Sequence, residues 1–177
     1  MVQEARLKQT EAGLVPEGEG WFVLNTREAA WNETQEFGRW CRWEGDVRFP
    51  ELGINISVLE PGQPSCMYHG ENAQEDFLVL SGDCLLLVEG EERPLRAWDF
   101  VHCPAWTEHV FVGGSKRSLI VAVGTRKDPD ELLYPVSEAA QRHGAGVLDE
   151  TRSGEEAYAR FGPRSPRPYR EGDLPDW

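Results

Sequence analysis

The stretch MYHGENAQEDFLVLSG, residues 67–82, decides how this chain is read. His69 and three carboxylates, Glu71, Glu75 and Asp76, crowd the mouth of an apolar run that stops at Ser81-Gly82. Residues two apart in an extended chain share a face, so His69 and Glu71 point the same way. Glu75 opens the next strand, where the chain can fold back beside them. The stretch is either a metal site with an unusual donor set or a polar loop that resembles one.

Outward from it, residues 52–126 read as strand, turn, strand. GINISVLEPG alternates and stops at Pro-Gly, EDFLVLSGDCLLLVEG holds two β-rich runs around a Ser-Gly-Asp turn, and AWDFVHCPAW, EHVFVGG and RSLIVAVGT complete the series. Many short strands with regular turn signals predict an all-β sandwich or barrel. No βαβ alternation points to a nucleotide-binding α/β fold. EDFLVLSG and CLLLVEG are apolar on both faces, whereas a lone barrel should expose one. The outside is therefore expected to be covered by the N-terminal arm, the C-terminal segment or a second copy, and a homodimer is expected.

The flanks differ in character. Residues 1–20 read as a loose arm and GWFVLN (20–25) as a short strand. Thr26 stands where a helix cap would open the mixed segment up to residue 45. SEAAQRHG reads as a helix capped by Ser137 and stopped by Gly144, and a second begins near Ser153. Residues 162–177 are Pro- and Arg-rich and extended. The expected organisation is an N-terminal arm and edge strand over 1–50, a barrel over 51–126, and a C-terminal extension over 127–177.

At this point the chain resembles the cupins, in their single-domain, conserved-barrel form. The spacing of the first cupin motif runs from Gly62 through His69 and Glu75 to Gly82, with Glu71 where the family has its second histidine. The second motif's spacing runs from Trp98 through Pro104, Trp106 and His109 to Gly113; both glycines of that motif are tryptophan here and its asparagine is Gly113. The resemblance implies a jelly-roll β-barrel and a metal held by His69, Glu71, Glu75 and His109.

Two imidazoles and two carboxylates form a mixed nitrogen and oxygen set that suits a divalent first-row transition metal, Mn, Fe, Ni, Co or Zn. Two other readings stay open. Glu71 is a solvated acid and three ligands hold the metal, or the four residues form a hydrogen-bonded cluster with no metal. Glu71 and His102 are the candidate catalytic groups, His102 being either a pocket base or a buried, hydrogen-bonded histidine. Trp98 and Trp106 either shield the pocket mouth or serve packing. The expected ligand is a small organic molecule, handled by oxygenase, isomerase or lyase chemistry. A ligand-binding protein without turnover and a structural role are the alternatives.

Composition limits the partners. The formal net charge is −13 over 177 residues, which argues against nucleic acid and anionic membranes. No apolar run approaches the ~20 residues of a membrane helix. The four scattered cysteines form no CxxC pair, and free thiols in a cytoplasmic protein are expected.

Overall fold

A computed structural model describes residues 1–176. The strands are β1 (Arg6–Thr10), β2 (Gly13–Glu17), β3 (Trp31–Thr34), β4 (Gly38–Cys41), β5 (Leu52–Leu59), β6 (Gly70–Glu71) and β7 (Glu75–Ser81). They continue with β8 (Asp83–Val88), β9 (Glu91–Arg96), β10 (Phe100–Cys103), β11 (His109–Gly113), β12 (Ser118–Thr125) and β13 (Leu132–Leu133). Two short helices, α1 (Glu138–Arg142) and α2 (Gly154–Tyr158), precede β14 (Ser165–Arg167).

A seven-stranded sheet runs β10-β7-β12-β5-β4-β3-β14 and faces a three-stranded sheet, β11-β8-β9. The chain before β6 lies along β11, through bridges Pro64 to Val112 and His69 to His109. This is the expected all-β jelly roll. Period-two alternation makes its core. Phe77 and Val79 of β7 meet Cys84 and Leu86 of β8, Phe111 of β11 and Ile120 of β12 between the sheets.

The outward residues of the same strands are apolar because each sheet has a second cover. Ile56, Val58 and Leu119 pack under Leu24, Ala29 and Trp31 from the N-terminal segment and under Tyr169 and Leu174 from the C-terminal one. Leu87, Val110 and Val112 pack under Ala140 and Ala145 around α1. The chain itself thus covers most of the surface that predicted a partner. Trp98 and Phe100, beside edge strand β10, stay exposed, at 68% and 65%.

Several local expectations are corrected. Residues 26–45 contain no helix. They form the β3–β4 hairpin, where the Thr34 hydroxyl accepts from the Phe37 amide and Gly38 takes φ +76°. Residues 1–20 are not a loose arm, since β1 and β2 pair throughout. GWFVLN is irregular apart from a bridge at Trp21. Both helices start at Ser137 and Ser153, whose side chains cap them.

The turn after β7 is held by one acid. Asp83 accepts from the Ser115 amide at 2.7 Å, the Ser115 hydroxyl at 3.1 Å and the Lys116 amide at 3.1 Å. The Ser115 amide bond leads the causes that hold its carboxyl below the ordinary 3.8. A depressed folded value means that these bonds stabilise fully above 3.8 and are lost as pH falls through the lower, folded value. Thermal melts across the acid range should show Asp83→Ala less stable than wild type near neutrality, with the gap closing on acidification. A gap independent of pH would refute this role.

Candidate functional site

Between the two sheets lies a cavity of about 640 Å³ with His69, Glu71, Glu75 and His109 on its wall. Each reaches it from a different piece of backbone. Glu75 begins β7, flanked by Cys103 of β10 and Gly124 of β12. His109 begins β11, and its amide donates to the His69 carbonyl at 2.9 Å, which sets the two histidines side by side. Their ring centroids are 5.4 Å apart. Candidate ligand atoms of His69, Glu71 and Glu75 lie within 4.8 Å of one another. His109 joins that set through Glu75, its Nε2 lying 3.2 Å from Glu75 Oε2.

The ring nitrogens have defined roles. His69 Nδ1 is 2.8 Å from the Met67 carbonyl, and His109 Nδ1 is 2.9 Å from the Thr107 carbonyl. A carbonyl only accepts, so each Nδ1 carries a proton and each Nε2 is left to face the cavity side of the ring. At His109 that Nε2 faces a carboxylate oxygen. Glu75 Oε2 is buried and has no hydrogen-bond partner of proper geometry. Two acceptors at this distance need a cation between them, a proton or a metal ion. The donor set therefore fits a divalent metal, with backbone carbonyls fixing both imidazoles as such sites require.

The two acids have different environments. Burial, then the Glu75 charge, pushes the Glu71 carboxyl up to about 7. Burial also opposes the charge on Glu75, yet the close approach of His109, with His69 behind it, holds that carboxyl below its ordinary value. Tyr134 stacks on His69 with centroids 5.8 Å apart. Burial pushes its hydroxyl up to about 12, so it stays a donor.

His102 is not brought to this site. It is neither buried nor on the cavity wall. Its side chain is 51% exposed, and its Nδ1 is 2.6 Å from Asp76 Oδ1. Val101 and Cys103 face the core instead, so the face expected for His102 is off by one residue. Trp98 and Trp106 do not shield the cavity either. They sit at φ +75° and +70°, in the left-handed region that glycine favours.

Several wall residues lie outside the motif segment and were not singled out from sequence: Tyr134, Tyr158, Trp40 and Arg164, together with Arg42. Trp40 and Arg42 are two apart at the end of β4, a periodicity that could have paired them. A second cleft, about 670 Å³ between the β1–β2 hairpin and residues 42–48, has no histidine or cysteine on its wall.

Residues 55–123 match the family described as cupin domain. That matched segment is the barrel of this chain, which is similar in sequence to the cupin domain. It is 26% identical over 111 residues to gentisate 1,2 dioxygenase 1 of Aquipseudomonas alcaligenes, a match that covers 63% of this chain and 31% of that enzyme. The chain thus spans about a third of the length of this curated relative. A cupin 2 conserved barrel domain protein from Salinispora arenicola shares the fold, at TM-score 0.50 and 22% identity over 63% of this chain and 92% of the other. A sugar phosphate isomerase from Silicibacter pomeroyi aligns at TM-score 0.46 and 23% identity, over 65% of this chain and 76% of that one.

Proposed function

We propose that the protein is a metal-dependent enzyme acting on a small organic molecule, with a divalent first-row transition metal held by His69, Glu75 and His109 and by Glu71 as fourth ligand. One observation carries this reading: His109 Nε2 stands 3.2 Å from the buried Glu75 Oε2, and Glu75 also groups with His69 and Glu71, their candidate ligand atoms within 4.8 Å of one another. A bound divalent ion supplies Lewis acidity toward a substrate oxygen, and a redox-active one also supplies oxygen activation.

The chain's own groups divide the remaining work. His69 and His109 are locked by the Met67 and Thr107 carbonyls, so they hold position as the site fills. Glu71 accepts a substrate proton at its second carboxyl oxygen. Tyr134 donates from its hydroxyl and orients a bound oxygen. Phe77 and Phe111 wall off water from the floor of the cavity. Oxygenase, isomerase and lyase chemistry all use these parts. Similarity to a dioxygenase supports the first of them.

Purified protein is expected to carry about one first-row metal per chain, read by elemental analysis and by anomalous scattering at the metal edges. Protein that stays metal-free when supplied with Mn, Fe, Co, Ni and Zn would favour the hydrogen-bonded cluster and a non-catalytic binding role. The four free cysteines support a cytoplasmic setting. The proposed homodimer rests on the exposed Trp98 and Phe100. Light scattering at micromolar concentration tests it, and a monomer there removes it.

A further inference from the structure

The chain has 31 acidic residues against 18 basic ones, so its arginines should be readily paired. Eight of the fifteen have carboxylate partners among the described residues: Arg27, Arg39, Arg93, Arg117, Arg126, Arg142, Arg167 and Arg170. Arg42 and Arg164 line the cavity, and neither has an ion pair or a side-chain hydrogen bond among the described residues. Arg42 is solvent-exposed, and its guanidinium pKa is lowered first by partial desolvation against the protein and next by repulsion from Arg164, with Arg48 and Arg126 adding to it. Glu44 is the nearby acid, and it is already bound by Arg126 at 2.7 Å. A strongly anionic protein thus concentrates positive charge at the rim of one cavity.

The rim is also built to hold its shape. Arg164 lies over the Trp40 ring, 5.7 Å from its centroid, and Trp40 and Arg42 share the inner face at the end of β4. Stacking of this kind pre-orients the guanidinium fork, which matches a carboxylate in bidentate fashion.

We infer that Arg42 and Arg164 form a carboxylate subsite, and that the substrate is a small organic acid. Its carboxylate sits at the arginine rim, its body lies between Phe77, Phe111 and Ile120, and its reacting oxygens point to the His and Glu floor. The charge pattern fixes that orientation, because Glu71 and Glu75 repel a carboxylate at the floor. A phosphoryl group fits less well. Phosphate sites gather backbone N–H groups or an open helix start. Here the residue before Arg164 is a proline, and α2 is capped by Ser153.

This subsite rests on the proposed cavity as the substrate site, but not on the metal, so the test uses full-length protein stripped with chelator. Calorimetric titration compares benzoate with its neutral isostere benzamide and with phenyl phosphate. Benzoate is expected to bind at least about tenfold tighter than benzamide, and Arg42→Gln and Arg164→Gln each to lose about tenfold in benzoate affinity. Arg42→Lys keeps the charge without the fork and is expected to bind benzoate more weakly, which covers a Gln variant that fails to fold. Benzoate binding no tighter than benzamide, or unchanged by these substitutions, overturns the subsite. Phenyl phosphate binding tenfold tighter than benzoate overturns the carboxylate assignment. Metal content measured before stripping is expected to be unchanged in these variants, which separates failure of the subsite from failure of the metal reading.

Discussion

His109→Ala is expected to abolish metal retention, from about one ion per chain to under about a tenth of that after desalting. His109 is 3% exposed, and its Nε2 is the nitrogen nearest the orphaned Glu75 oxygen. Without it, two half-buried carboxylates face one remaining imidazole, and the set loses nitrogen affinity for late first-row metals. The backbone bonds between His109 and His69 do not involve the ring, so the strand pairing survives and the loss is chemical. Contact with Phe77, 5.1 Å between centroids, is lost as well, and a modest drop in melting temperature should accompany it. Elemental analysis of folded variant decides the matter, and full metal occupancy would sink the assignment. Glu71→Gln is the companion. It preserves shape and removes charge, so undiminished metal there would reduce the set to three ligands.

Asp173→Ala is expected to cost about 3–5 kcal/mol of stability. Arg39 on β4 and Asp173 in the C-terminal segment form an ion pair with side chains 6% and 1% exposed. Arg39 also donates to the Pro168 carbonyl at 3.3 Å and lies over the Trp31 ring. Truncating the acid strands a buried guanidinium with one weaker contact left, beneath the segment that covers the outer sheet. Domains of this size are stable by only ~5–15 kcal/mol, so the effect should be plain in urea titrations followed by tryptophan fluorescence. A loss below about 1 kcal/mol would mean that the pair is solvated and the segment is held by Tyr169 and Leu174 alone.

The motif spacing was legible because it encodes backbone geometry more than residue identity. Trp98 and Trp106 stand where the family has glycines and still adopt positive φ. Each of these positions costs an L-residue roughly 1–2 kcal/mol, yet the corners stay where glycine would put them. Strand length between corners therefore carried the fold through two large substitutions. The inner face of β7 was equally readable, since Phe77 and Val79 alternate cleanly with residues on the covered face.

What failed had local causes. The β3–β4 hairpin was taken toward helix because its strands are four residues long, too short for period two to stand out in NETQEFGRW. His102 faces outward because β10 is an edge strand with exposed Phe100, partly buried Val101 and buried Cys103. A shift of one residue reverses every side chain. Tyr134, Tyr158 and Arg164 come from beyond the barrel, and no local pattern announces that they return to its mouth.

That return has a consequence for how the protein is made. The proposed metal ligands all precede Thr125, whereas the wall that includes Tyr158 and Arg164 is encoded later. At a synthesis rate of ~5–20 residues per second, the ribosome needs ~2–8 s to extend the chain from one to the other. For that interval the nascent barrel presents its pocket without the side of the wall that Tyr158 and Arg164 later supply.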